Sequence, residues 1–318
     1  GIAAKQAGVD DDWHVNCPGY FNFGGRAFHC WKKGGHGGVN LHRAIRESCD
    51  VYFYNAALRA GPERIAAVAR AFGLGVSHDV SVPHVQAGLV PDPTWWQEHR
   101  HEPWTAGLTV NYGIGQGSLQ VSPLQLCVQA ARIANDGKAV RPRLVREAPG
   151  FTEPGQPETM SGIAPEHLAQ IRAGMFGVCN EGGGTAVRAG LLIGLSRRPD
   201  GVIVDTAQAP PGSTPIQIAG KTGTSQVRII TAAERARGVI NNANLPWALR
   251  DNALFISFGP YDNPRYACAV VIEHGGHTNP QFDAPIVAAN VLRQTFLRDP
   301  AHRAAARLAS LEPPVRQA

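Results

Sequence analysis

A chain of 318 residues can bury one large core or two ordinary ones. Hydrophobic residues make up 43% of it and charged residues 17%, and no apolar run approaches the length of about 18 residues that a membrane-spanning helix needs. Lys and Arg number 30 against 25 Asp and Glu, a net charge of +5, with no run of five basic residues and no basic positions clustered around aromatics, so no nucleic-acid partner is expected. The 36 glycines and 24 prolines imply many turns without a collagen-like period. The opening Gly1-Ile2-Ala3-Ala4-Lys5 is no signal peptide, and the chain is expected to be a fragment or processed product. Six cysteines do not make a disulfide scaffold in a chain this large.

In chain order, the first sixty residues are rich in Gly, aromatics and His. Helical spacing predicts one helix over Val39–Leu58, with Asn40 as its N-cap. A second helix fits Pro62–Phe72, with Pro at its first position and Gly73 and Gly75 beyond its end. Residues 76–117 read as irregular, and His99 and His101 as loop residues among Glu98 and Glu102. Ser122-Pro123-Leu124-Gln125 is a capping box that opens a helix running to about Ala134, stopped by Asn135-Asp136-Gly137. Ala164–Cys179 is another helix, ended by Glu181–Gly184. Residues 190–215 look like a flexible surface insertion, and Pro215–Ile230 an extended segment. Residues 253–259 and 266–272, separated by the turn Tyr261-Asp262-Asn263-Pro264, predict two paired antiparallel strands, and Ala284–Leu297 a closing helix. Cys127, Cys179 and Cys268 read as small buried hydrophobes within these elements. Helices first and an antiparallel strand cluster late make the fold class α+β.

Three groups of residues suggest chemistry. Gly220-Lys221-Thr222-Gly223-Thr224-Ser225 sets a lysine between glycines on a strand. There the ammonium and the hydroxyls of Thr222 and Thr224 can hold a carboxylate, Gly223 admits a ligand close to the backbone, and the strand edge can take an extended peptide. The plain alternative is a strand end with an exposed lysine. Ser48-Cys49-Asp50 places two small polar side chains where both can reach one cavity, or else forms an ordinary polar helix face. Cys17, Cys30, His36 and Cys49 offer three soft thiolates and one imidazole, a closed tetrahedral set for zinc. The Gly-rich run Gly34–Gly38 would let His36 turn inward; a disulfide or free thiols are the alternatives.

Taken together, the Lys-Thr-Gly and Ser-Cys-Asp groups resemble the third and second motifs of the penicillin-recognising serine transpeptidases, with Asp50 for the usual Asn. Asn111–Gly117 (NYGIGQG) with Val121–Leu126 (VSPLQL), and Ala253–Gly259 with Ala267–Gly276, are similar to class B penicillin-binding proteins. Phe28–Gly37 (FHCWKKGGHG) with Ser48–Tyr54 (SCDVYFY) is most similar to the penicillin-binding protein 2 group, the elongation transpeptidases. The resemblance covers essentially the whole chain. It implies an antiparallel sheet flanked by helices plus a mostly helical subdomain: a helical, metal-loop and cleft-wall part to about 215, a sheet part over 216–300, and a tail over 301–318.

The resemblance further implies acyl transfer from D-Ala-D-Ala stem peptides of peptidoglycan, with β-lactams as mimics of that end. Ser48, Asp50 and Lys221 would be catalytic, Thr222, Gly223 and Thr224 substrate-binding, and Cys17, Cys30, His36 and Cys49 the ligands of a structural zinc. Partners would be membrane proteins of cell elongation, and the location the periplasmic face of the inner membrane. One departure is large: no serine here has Lys three residues later, so the family's Ser-x-x-Lys nucleophile is expected just upstream of Gly1 and the chain alone is expected to be inactive. Alternative readings are a β-lactam hydrolase or sensor of the same fold, and a non-catalytic, zinc-stabilised binding module of the wall-synthesis machinery.

Overall fold

In the computed structural model, residues 1–145, 156–228, 230–231, 234, 237–276 and 283–300 are described. The chain starts with a short buried helix, Ile2–Gln6 (α1), followed by a hairpin enclosed within a second two-stranded ladder. Val15–Cys17 (β1), Tyr20–Phe23 (β2), Arg26–His29 (β3) and Gly37–Val39 (β4) pair as β1 with β4, Cys17 opposite Gly37, and as β2 with β3, Tyr20 opposite His29. Strands of three or four residues are too short to show an alternating pattern, which is why the sequence reading passed over them. Their local cue is Gly24-Gly25, with φ of 56° and 73°, the left-handed pair that a tight hairpin turn requires.

The helix expected over Val39–Leu58 is two helices, Leu41–Arg46 (α2) and Asp50–Ala60 (α3). Asn40 caps the first as expected, its side chain accepting the Arg43 N–H at 3.0 Å. The break falls at Ser48, whose φ is +56°. Pro62–Ala71 (α4) follows with proline at its start. The stretch expected to be irregular holds two further helices, Pro93–Arg100 (α5) and Ala106–Tyr112 (α6). Asp92 and Thr105 cap them through the N–H groups of Trp95 and Leu108. His99 therefore lies on a helix, stacked on Trp95 one turn back, and His101 ends it in a left-handed conformation. Pro123–Ala134 (α7) opens on the predicted capping box, with both reciprocal bonds made. Pro165–Asn180 (α8) matches its expected limits within one residue.

Residues 190–215 are not a flexible insertion. Val187–Ile193 (α9) leads into a small sheet of Leu195–Arg197 (β5), Ile203–Asp205 (β6) and Thr214–Pro215 (β7), with β5 in the middle. Ile193, Leu195 and Ile203 are buried beneath it, which fixes the segment. Ala219–Ser225 (β8), Asn252–Gly259 (β9) and Tyr266–Ile272 (β10) form the main sheet, all antiparallel in the order β10-β9-β8. Ala284–Arg298 (α10) closes the fold. The tail over 301–318, and residue 229 within the expected extended segment, lie outside the described residues.

One cluster of buried residues runs from Ile2 to Phe296 through both the helical part and the sheet. α7 and α10 pack on β9 and β10, while α8 bridges α2 and β8. Cys179 is fully buried as expected, but Cys127 and Cys268 are only half-buried, and the Cys127 thiol donates to the Ala267 carbonyl at 3.5 Å. No helix among the described residues is long and apolar enough to cross a membrane.

Gly220 shows how tightly β8 is set on β9. A Cβ there would lie 2.3 Å from the Phe255 ring and 2.8 Å from the Ile256 carbonyl oxygen, and Phe255 is fully buried. At Gly223 the nearest atom to such a Cβ is Leu254 Cβ at 3.5 Å, an ordinary contact. Gly220→Ala is therefore expected to destabilise the fold by about 1–3 kcal/mol through overpacking, and Gly223→Ala by less. Thermal melting of the two variants checks this; equal losses would contradict the packing argument.

Candidate active site

The sequence leaves α2 and α3 unable to join. At the end of α2 the Cys49 N–H bonds the Ala44 carbonyl at 2.9 Å, and the Ser48 N–H bonds the Ile45 carbonyl at 3.3 Å. This is a Schellman turn, with Ser48 at the position glycine usually takes. Left-handed backbone at a residue with a Cβ costs roughly 1–2 kcal/mol. It points the Ser48 side chain out of the helix line towards β8.

There Lys221 meets it. The Lys221 ammonium donates to Ser48 Oγ at 2.8 Å and to its neighbour's carbonyl, Thr222 O, at 2.8 Å. Burial lowers Lys221 from the ordinary lysine value to about 8, with the charge of Asp50 pulling it back up. Asp50, the first residue of α3, is pushed up to about 7 by burial and by the neighbouring Cys30, against the pull of Lys221. Its Oδ2 accepts the Trp31 backbone N–H at 2.9 Å. Ser48 and Asp50, two residues apart, are thus gathered with Lys221, which lies 173 residues from Ser48 in the sequence.

β8 is an edge strand of the sheet among the described residues, so one side of it faces this place. Within a strand, the N–H and C=O of one residue point to the same edge. The carbonyls of Thr222 and Thr224 face away from β9, accepting from Lys221 Nζ and from Gln116 Nε2 at 2.9 Å. The N–H groups of these residues therefore face the same way, and Gly223 between them leaves the strand low. Thr222 Oγ1 contacts Thr185 Oγ1 at 2.8 Å, and the Thr185 N–H donates to the Arg46 carbonyl at 3.3 Å. A second path thus ties β8 to the end of α2. Beneath it Glu47 is buried. Desolvation would raise its carboxyl, but hydrogen bonds from Arg43 and Arg46 outweigh that and hold it at about 2. Arg46 also bridges to Glu181 at 2.9 Å.

Cys17, Cys30, His36 and Cys49 come together as a second cluster, all buried, with their donor atoms within 4.8 Å of one another. His36 Nδ1 lies 3.6 Å from Cys17 Sγ and 3.5 Å from Cys30 Sγ. Tetrahedral zinc with Zn–S near 2.3 Å would place its donors roughly 3.8 Å apart, so this donor set fits such an ion. A shared hydrogen bond pulls Cys30 down and pushes Cys49 up, so one sulfur of the pair gives up its proton readily. His36 Nε2 is buried with no partner, so Nδ1 is the nitrogen aimed at the sulfurs. Gly35, at φ +74°, makes the loop possible: a Cβ there would sit 2.1 Å from the Cys17 carbonyl oxygen.

Sequence reasoning missed Trp31, Thr185 and Gln116. Gln116 and Trp31 each sit in a quoted motif without a role of their own, and Thr185 follows a run of three glycines read only as part of a helix stop. His274, just past the end of β10, contacts the Arg250 carbonyl through Nδ1 at 3.0 Å and stands edge-on to Trp247.

Comparison with known proteins supplies the context. The family model described as "Penicillin binding protein transpeptidase domain" matches residues 2–296. The peptidoglycan D,D-transpeptidase MrdA of Acinetobacter baumannii is 35% identical over 275 residues, 84% of this chain and 37% of that protein. Its Escherichia coli K12 counterpart is 30% identical over 261 residues, 81% of this chain and 38% of that protein. The chain thus spans less than two fifths of the length of these relatives. The Pseudomonas aeruginosa PBP2 structure in complex with WCK 5153 superposes with a TM-score of 0.68 at 29% identity, covering 92% of this chain and 57% of that one. Helicobacter pylori PBP2 in its complex with MreC gives 0.71 at 26% identity, covering 98% and 49%.

Titration of Lys221 is directly measurable. Trace labelling with an amine reagent across pH is expected to give a midpoint near 8 for this residue. A midpoint at the ordinary lysine value of about 10.4 would show that the ammonium is well hydrated and the site open.

Proposed function

The chain belongs to the penicillin-binding protein transpeptidase family, and from that premise we propose that it is the acyl-transfer unit of a peptidoglycan D,D-transpeptidase of the elongation type. The observation that carries the reading is the 2.8 Å contact between Lys221 Nζ and Ser48 Oγ beside the outer edge of β8. On this reading the acylated serine comes from a Ser-x-x-Lys segment, which no serine of this sequence begins. That serine attacks the carbonyl of the penultimate D-Ala of a stem peptide and D-Ala departs. An amine of a neighbouring stem then takes the acyl group.

The residues present supply the proton path and the cradle. Ser48 Oγ accepts from Lys221, so its own proton is free to pass to a leaving amine, and a lysine near pKa 8 can replace it. The outward N–H of Thr224 suits one half of an oxyanion hole. Lys221 and the hydroxyls of Thr222 and Thr224 suit the substrate's terminal carboxylate. Asp50 stands where the family carries Asn. Burial pushes its carboxyl up, and in the protonated form it can donate, as the amide would.

The same reading assigns zinc to Cys17, Cys30, His36 and Cys49. Bound there, the ion would act structurally, fixing the backbone on either side of Cys49, from which Ser48 and Asp50 project. The H. pylori complex of PBP2 with MreC supports, as a proposal for this chain, a protein partner of that kind, and the family's name supports β-lactams as ligands; cell-elongation membrane partners and work at the periplasmic face of the inner membrane are part of the same reading and rest on the resemblance.

A longer form that includes the Ser-x-x-Lys segment is expected to label covalently with fluorescent penicillin and turn over slowly, while the present chain does not label. Lys221→Ala should cut the labelling rate by about 100-fold or more. Rapid hydrolysis with release would instead identify a β-lactamase, and no labelling of any form would sink the assignment. Elemental analysis is expected to find one zinc per chain. Its removal by chelation, or Cys30→Ser, should lower the melting temperature by roughly 5 °C or more. A metal-free chain with unchanged melting would reject the zinc.

A further inference from the structure

We propose that Trp31 is a positioning residue for the Ser48–Lys221 pair. The inference rests on the function proposed above, and its test separates the two. Where α2 ends and α3 has not yet begun, the carbonyls of Glu47 and Ser48 have no helical partner of their own. Both are taken by one donor: the Trp31 indole Nε1–H is shared between Glu47 O at 3.1 Å and Ser48 O at 2.9 Å. The backbone N–H of Trp31 binds Asp50 Oδ2 at 2.9 Å. A single residue therefore grips the turn on both sides of Cys49.

Burial of the ring does not explain this arrangement, because Trp31 is 59% exposed. What the indole gains is hydrogen-bond geometry. Its N–H meets the two carbonyls in the orientation they have when Ser48 is left-handed, at φ +56°. Relaxation of Ser48 to ordinary helical angles would swing those carbonyls off the indole and carry Oγ away from Lys221. Trp31 opposes that relaxation. It is also joined through the main chain to Cys30, and its ring stands edge-on to His36 with centroids 5.5 Å apart. A movement in the Cys/His loop is thereby passed to the Ser48 turn.

The test is Trp31→Phe, which keeps a ring beside His36 and removes the N–H. In the chain as it stands, the Lys221 labelling midpoint is expected to rise from about 8 towards the ordinary lysine value as the turn loosens and water reaches the ammonium. Metal content and melting should change little. In the longer form, penicillin acylation should slow about tenfold or more, with initial, non-covalent binding of the drug retained. Wild type gives an independent reading. In a ¹⁵N spectrum the Trp31 indole N–H should exchange with solvent more slowly than that of Trp247, which is 62% exposed. An unmoved Lys221 midpoint in Trp31→Phe, or exchange at Trp31 as fast as at Trp247, overturns the proposal. If the midpoint moves but no form of the protein is acylated, the positioning role stands and the transpeptidase reading falls.

Discussion

A lysine ammonium held half out of water needs an oxygen partner, and much of this fold serves to keep one in place. Lys221 donates to Ser48 Oγ and to Thr222 O, and neither acceptor would be there without constraint from elsewhere. β8 cannot shift, because Gly220 lies directly against the buried Phe255 ring. Ser48 cannot shift, because the end of α2, the Trp31 indole and the Cys/His loop surround it. The bridge of Thr222 to Thr185 to the Arg46 carbonyl runs parallel to the lysine contact and sets the spacing of the two walls independently.

Charge is distributed to suit this. Glu47, one residue from Ser48, is a fixed anion locked between Arg43 and Arg46. Asp50 and Lys221, on the other side, are both displaced towards neutrality, the former up and the latter down. The charged groups around the turn are thus sorted by how strongly their protons are held. A carboxylate bound by two guanidiniums anchors a helix end, while groups that titrate near neutral pH are fit for proton transfer.

Much of this was legible in the sequence, for identifiable reasons. Caps and period act locally, so Asn40, the Ser122–Gln125 box and the strands on either side of Tyr261–Pro264 could be read directly. The residues Ser48, Asp50 and Lys221 are picked out by their resemblance to two family motifs, and the four members of the Cys/His cluster by three thiolates and an imidazole that suit one metal. What escaped was whatever depends on contacts across the fold. The split of Val39–Leu58 into two helices is imposed at one residue whose conformation no propensity favours. The four strands near the start are too short for periodicity. The small sheet over 195–215 is held by a buried apolar underside that a Gly- and Pro-rich composition conceals. Trp31 was invisible for the same reason, since its partners are backbone carbonyls and carbonyls have no letter in a sequence.

The left-handed serine separates two optima that usually coincide. By the criterion of folding alone, position 48 belongs to glycine, which adopts that backbone without a Cβ penalty. A library of variants sorted only for thermal endurance would drift to glycine there and discard the hydroxyl in the process. A single position thus records which pressure the molecule has answered to. Engineers who harden this scaffold would do well to hold it fixed while they change everything around it.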